Sequence, residues 1–142
     1  MLTDTLCRVS WRSSPQSFVA LMSLYESNYI RLGWLIGDLH RLQGEHVSQV
    51  VDDCELTLLV LEHGPYTSML KLTYPFHRLG FGADTPDLMV RVYHDARVAE
   101  AHSVGASAQG PQAEGLAARW SRNMLLNKWL DYCVTRGHRF GP

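Results

Sequence analysis

The chain has 142 residues, the size of one domain, and its 13 basic and 14 acidic residues leave a net charge of -1. Such a length can bury roughly 68 to 70% of the unfolded surface without disulfides or metals, and the near-neutral balance lacks the field with which non-specific nucleic-acid binders gather phosphates. Cys7, Cys54 and Cys133 are odd in number and widely spaced, and no apolar run reaches signal-peptide or membrane-span length, so the expectation is a soluble cytoplasmic protein without disulfide framework, zinc knuckle, membrane or nucleic-acid contact.

The first element predicted is a long amphipathic helix over about Pro15 to Leu39. Phe18, Leu21, Met22, Tyr25, Tyr29, Leu32 and Ile36 recur at three- and four-residue steps, which places them on one stripe. Ser14 as N-cap with Pro15 as first helical residue supplies a start, and Gly37 stands where a left-handed cap would end the helix. After Gln43-Gly44 the period changes to two. Val47 and Gln49 alternate, and a dense strand follows from Cys54 to His63, with Leu56, Leu58 and Val60 on one face and Leu59 and Leu61 on the other. That density reads as an inner strand covered on both sides over part of its length. Gly64-Pro65 turns the chain into a strand from Tyr66 to Tyr74, completing an antiparallel hairpin.

Pro75 to Asp87, punctuated by Gly80 and Gly82 and by prolines, reads as a long loop. Leu88 to His102 then writes two alternating strands around a Tyr93-His94-Asp95-Ala96 turn. With Asp95-Ala96 at the tip, Arg91 faces Glu100, Tyr93 faces Val98, Val92 faces Ala99 and Val90 faces Ala101. A one-residue slip would set Val92 against Glu100 and bury a carboxylate beside an apolar row. Ser103 to Leu116 is poor in large apolar side chains and reads as a mobile loop. From about Ala118, Trp120, Met124, Leu125, Trp129, Tyr132, Cys133 and Arg136 recur at helical steps until Gly137. The fold class predicted is α+β, an antiparallel sheet of about five strands flanked by a long N-terminal and a C-terminal helix. Residues 1–142 form a single domain, with 1–13 flexible and 103–117 a mobile loop.

VRVYHDARVAE, the helix around LMSLYESNYIRL and the C-terminal WLDYCVTRG resemble the YqiB-like family, uncharacterised proteobacterial proteins with a domain of unknown function. The likeness spans about Gln16 to Gly137. Arg91, Tyr93, His94, Asp95, Ala96, Val98, Ala99 and Glu100 carry its most specific run. What the resemblance implies is a small cytoplasmic bacterial protein with no established reaction.

No phosphate loop, dinucleotide fingerprint, H-E-x-x-H or nucleophile elbow occurs. His63, His77, His94 and His102 would hold a metal only if their loops converged, and Cys133 on a helical stripe reads as a small core residue. Trp34, Trp120 and Trp129 read as packing. Glu45, Asp52, Asp53, Glu55 and Glu62 make the first strand region acidic, and Arg119, Arg122, Lys128, Arg136 and Arg139 make the C-terminal region basic. They read as two solvated faces, free to attract one another within the fold or across a dimer, with an anionic ligand on the basic end as the alternative.

The candidate binding residues are therefore Arg91, Tyr93, His94, Asp95 and Glu100 on the hairpin, with Phe76, His77, Arg78 and Phe81 on the long loop, where aromatic faces would stack a base and Arg or His would meet a phosphate. The leading expectation is a non-enzymatic binding or regulatory module acting through contact with a protein partner or itself. The alternatives are a nucleotide- or phosphate-binding protein or hydrolase using the Tyr93-His94-Asp95 turn, and a structural homo-oligomer. No catalytic residue, metal or cofactor is assigned.

Overall fold

The computed structural model describes residues 17–53, 55–74, 88–102 and 115–140. The expected flexible segment 1–13, most of the expected mobile loop (residues 103–114) and the loop bearing Phe76, His77, Arg78 and Phe81 lie outside these. The described elements are helix α1 (Phe18–Ile36), strands β1 (Glu45–Ser48), β2 (Leu56–His63), β3 (Thr67–Thr73), β4 (Leu88–Tyr93) and β5 (Val98–His102), and helix α2 (Leu116–Thr135). The sheet is an antiparallel meander in the order β1-β2-β3-β4-β5, the α+β arrangement that the alternation of periods predicts.

The described helix is capped by Ser17, whose hydroxyl accepts from the Ala20 amide at 3.0 Å, and the expected start at Ser14 and Pro15 lies outside the described residues. Gly37 ends the helix with a φ of 83° that favours glycine. The buried stripe is also rotated. Phe18 is exposed, while Leu21, Leu24, Tyr25, Leu32, Leu35 and Ile36 are buried together with Ser27, Asn28 and Arg31. These polar residues face α2, where Asn127 donates to Ser27 Oγ at 3.1 Å and to Asn28 Oδ1 at 3.0 Å. Arg31 Nε lies 3.6 Å from Asp131. The α1–α2 contact is thus keyed by hydrogen bonds, which a search for apolar steps passes over.

The core lies between one face of the sheet and the helices. Leu56, Leu58, Leu70, Leu72, Val90, Val92, Ala99 and Ala101 meet Leu32, Leu35, Leu126, Trp129, Leu130 and Cys133. The β4–β5 register is the predicted one, with Val90 opposite Ala101, Arg91 opposite Glu100, Val92 opposite Ala99 and Tyr93 opposite Val98. Strand β2 corrects the expectation of cover on both sides: Leu59 is half-buried, and Leu61 is 43% exposed at a register shift between Val60 and Glu62. A β-bulge re-aims the side chain beside it and bends the strand. In α2, Leu125 and Tyr132 are exposed, and Asn123, Leu126 and Asn127 take the buried positions. The outer edge of β5 is closed by side chains. Asn28 Nδ2 donates to the Ala99 carbonyl at 3.4 Å, and Asn123 Oδ1 accepts from the Ala101 amide at 2.7 Å. Bonds of this kind remove an open strand edge.

Candidate functional site

The turns β2–β3 and β4–β5 lie side by side at one end of the sheet, joined by the bond from the His94 amide to the Tyr66 carbonyl at 2.8 Å. The β4–β5 turn spans His94 to Arg97. The Arg97 amide bonds to the Tyr93 carbonyl at 2.9 Å, and Asp95 Oδ1 accepts from the Ala96 amide at 3.0 Å. Asp95 is therefore an exposed turn residue, whereas His94 is only 7% exposed. Its Nε2 lies 2.8 Å from Ser68 Oγ, which in turn lies 3.2 Å from His63 Nδ1. His40, just beyond α1, covers the His94 ring with centroids 4.3 Å apart and planes 35° apart, and the His63 ring stands nearly edge-on at 6.2 Å.

One direction of bonding fits this chain. His94 Nε2–H donates to Ser68 Oγ, whose hydroxyl donates to His63 Nδ1, leaving the His94 Nδ1 lone pair buried without a partner among the described residues. The reverse direction would orphan a buried N–H, which proteins tolerate less. Protonating Nδ1 would place a charged, unsatisfied donor under His40. Burial accordingly holds His94 below the ordinary imidazole value, His40 and His63 add to that, and Asp95 opposes it. Among the described residues no set of ligating groups is arranged to hold a metal ion.

The other hairpin candidates cluster around Glu100 on the sheet face opposite Val92 and Ala99. Tyr93 donates to Glu100 Oε1 at 3.0 Å, His102 Nε2 lies 3.4 Å from the same oxygen, and Arg119 of α2 lies 3.6 Å from Oε2. Arg91 stands opposite Glu100 in register, yet the ion pairs of that carboxylate among the described residues go to His102 and Arg119. Burial raises the Glu100 carboxyl, but bonds from His102 and Tyr93 outweigh it and hold the group down to about 2. Tyr25 of α1 is buried beside it, and burial followed by the Glu100 charge pushes its hydroxyl up to about 12. With its charge balanced locally, Glu100 fastens β5 to both helices.

The family model of a protein of unknown function, DUF1249, matches residues 31–139, a span that includes His40, His63, His94 and Glu100. This chain belongs to the DUF1249 family. It is similar to the uncharacterized protein YqiB of Escherichia coli strains K12 and O157:H7, 28% identical over 134 residues, with 84% of this chain and 90% of the relative covered. No solved structure matches it. No helix among its described residues is long and apolar enough to cross a membrane.

A second polar cluster in this DUF1249 chain holds the elements of a nucleophilic triad. Ser48 Oγ lies 3.0 Å from His138 Nδ1, and His138 Nε2 lies 2.9 Å from Asp53 Oδ2. Its surroundings are those of a lock. Ser48 is 6% exposed and its oxygen already accepts the Arg139 amide at 3.2 Å, while Tyr74 donates to Asp53 and Arg136 stands 3.8 Å from it. A nucleophile needs an open approach and an oxygen free to attack. Here the hydroxyl is sealed beneath the C-terminal segment. Burial likewise pushes the Cys133 thiol up to about 12, so it stays protonated and inert.

Sequence reasoning thus singled out His94, Tyr93 and Glu100 but assigned them to one site, whereas the strand alternation sends His94 to one cluster and Tyr93 with Glu100 to another. His40 and Ser68 were missed. Ser68 carried a signal, since it shares the inward face of β3 with Leu70 and Leu72. A hydroxyl on that face needs a bonding partner.

Proposed function

We propose that this protein is a non-enzymatic binding module that holds an acidic segment of a protein partner at the end of the sheet where His40, His63 and His94 meet. The observation that supports this most is the buried His94, whose Nδ1 has no partner among the described residues, tied through Ser68 to the exposed His63 and covered by the exposed His40. Folding alone gives no reason to bury an imidazole with one nitrogen unsatisfied. A carboxylate arriving from a partner would accept from the protonated ring and relieve that cost, and rotation of His40 off the stack would admit it. Tyr66, 65% exposed on the adjoining turn, supplies the amphipathic anchor that such contacts favour.

Binding through His94 strengthens as pH falls below the ordinary imidazole value of 6.5, because burial holds the free ring neutral and a partner carboxylate favours its protonated form. Site-specific photo-crosslinking in the native host tests the reading. A crosslinker at Tyr66 is expected to give a discrete adduct that weakens in His40→Ala and grows on mild acidification. A crosslinker at Glu55, at the far end of β2, is expected to give none. Equal adducts from both positions, or none from Tyr66, would contradict the proposal, and an adduct of two copies of the chain would replace it with self-association.

A further inference from the structure

Helix α1 presents a second face at the border of the core, where Tyr29 is partly buried against the core and Trp34 is exposed. Glu26, Tyr29, Ile30, Gly33 and Trp34 follow one another at helical steps and, with Arg97 from the β4–β5 turn, line a groove of about 490 Å³. Its volume falls within the range of small-ligand sites. Trp34 is 45% exposed, although its neighbours in the helix include fully buried leucines. The guanidinium of the buried Arg31 lies 6.0 Å from the Trp34 ring and helps to fix its orientation. At Gly33 nothing stands within 4 Å of where a Cβ would lie, so the groove floor is bare backbone with open space above it.

Glu26 and Arg97 line the same groove, and neither has an ion-pair partner among the described residues. Arg97 also has a φ of 58°, in the left-handed region that favours glycine or asparagine at the end of a turn. The turn alone would be better served by either of those residues. What arginine adds there is a planar, permanently charged fork, aimed from a fixed backbone position beside an exposed indole.

From these features we infer that the groove binds a nucleoside monophosphate. The base stacks on Trp34 and Tyr29 over the open Gly33 backbone, Arg97 meets the phosphate through paired N–H donors, and Glu26 accepts from ribose hydroxyls. Base stacking on aromatic faces and guanidinium pairing with phosphate are the recurrent means of holding such ligands. A carboxylate on the ribose hydroxyls is equally recurrent. This site is separate from the histidine end and does not depend on the partner reading.

The test is isothermal titration calorimetry on the full chain with AMP, GMP, adenosine, inorganic phosphate and L-phenylalanine. At least one nucleotide is expected to bind saturably at one site, with adenosine and inorganic phosphate each weaker by about tenfold or more. Two variants separate binding from folding. Arg97→Gly relieves the backbone at the turn, and Gly33→Leu fills open space on a helix that glycine weakens. Both are expected to melt at or above the temperature of the parent protein and to lose nucleotide affinity by about tenfold. The inference is overturned by an absence of saturable heat with both nucleotides, by undiminished binding in the two variants, by inorganic phosphate binding as tightly as the nucleotide, or by L-phenylalanine doing so, which would make the groove a zwitterion site.

Discussion

His94 ties a buried side chain to the acidity of the medium. Its proton affinity is lowered by burial and by His40 and His63, so the unfolded chain takes up a proton at a higher pH than the folded one does. Stability is then fully present above the ordinary imidazole value of 6.5 and is lost as pH falls below it towards the folded-state value. Urea unfolding across this interval is expected to show that decline in the parent protein, with a flatter profile in His94→Gln. Glu100 acts in a lower window. With its carboxyl held down to about 2 against an ordinary 4.5, its contribution is present above about 4.5 and disappears as pH falls towards 2. That contribution is on the order of 3 kcal/mol, because each tenfold change in proton affinity between the folded and unfolded chain corresponds to about 1.4 kcal/mol. Glu100→Gln is expected to destabilise by a similar amount at neutral pH and to flatten the acid limb of the unfolding curve. Much of this residue-level pattern was legible in the sequence. The register expected from Arg91 facing Glu100 is the observed one, but the ion pairs of Glu100 among the described residues go to His102 and Arg119 rather than to Arg91. The true partners of Glu100 come from α1, α2 and the next outward position of β5, and no local pattern announces contacts between such distant segments.

At the level of elements, the helices are positioned by polar contacts as much as by apolar ones. Asn123 carries the edge of β5, accepting from the Ala101 amide at 2.7 Å and from Asn28 at 3.2 Å. Asn123→Leu would leave a buried backbone donor unsatisfied, at a cost of about 1 to 3 kcal/mol. The expected signature is faster hydrogen exchange at the Ala101 amide than at the Val90 amide, alongside a lowered unfolding midpoint. The same contacts explain why the helices were legible as helices but with rotated faces. Phe18, Leu125 and Tyr132 satisfy an apolar period yet point to solvent, while Asn28, Arg31 and Asn123 break it and are buried. A stripe read from hydrophobicity alone shifts towards the apolar exposed residues. Trp34 belongs to the same lesson: it reads as a packing residue, and the structure places it at the rim of a groove.

In the molecule as a whole, the two charged stretches of the sequence touch through Arg136 and Asp53. Arg136 reaches Asp53 and the Asp52 carbonyl, and His138 completes the lock by bonding to Ser48 and Asp53. Phe140 is tied to Leu35 through its amide at 2.8 Å, so the C-terminal segment closes over the ends of α1, β1 and β2. Asp53→Ala removes the common acceptor of Tyr74 and His138 and is expected to cost about 3 to 5 kcal/mol, as breaking a buried pair does. Chemical unfolding would measure that loss. The five-strand meander was readable because every connection between neighbouring strands follows chain order, and a change of period marks each element. The histidine end was only half readable, because His40 comes from beyond α1 and is brought over His94 by the packing of the helix on the sheet. The most direct measurement of the central claim is a histidine-detected NMR pH titration of the folded protein. The account predicts that His94 keeps a neutral ring bonded at Nε2 and titrates below 6.5, with its resonances perturbed in His40→Ala and in Ser68→Ala. A His94 that titrates at or above 6.5 and ignores both substitutions would contradict it.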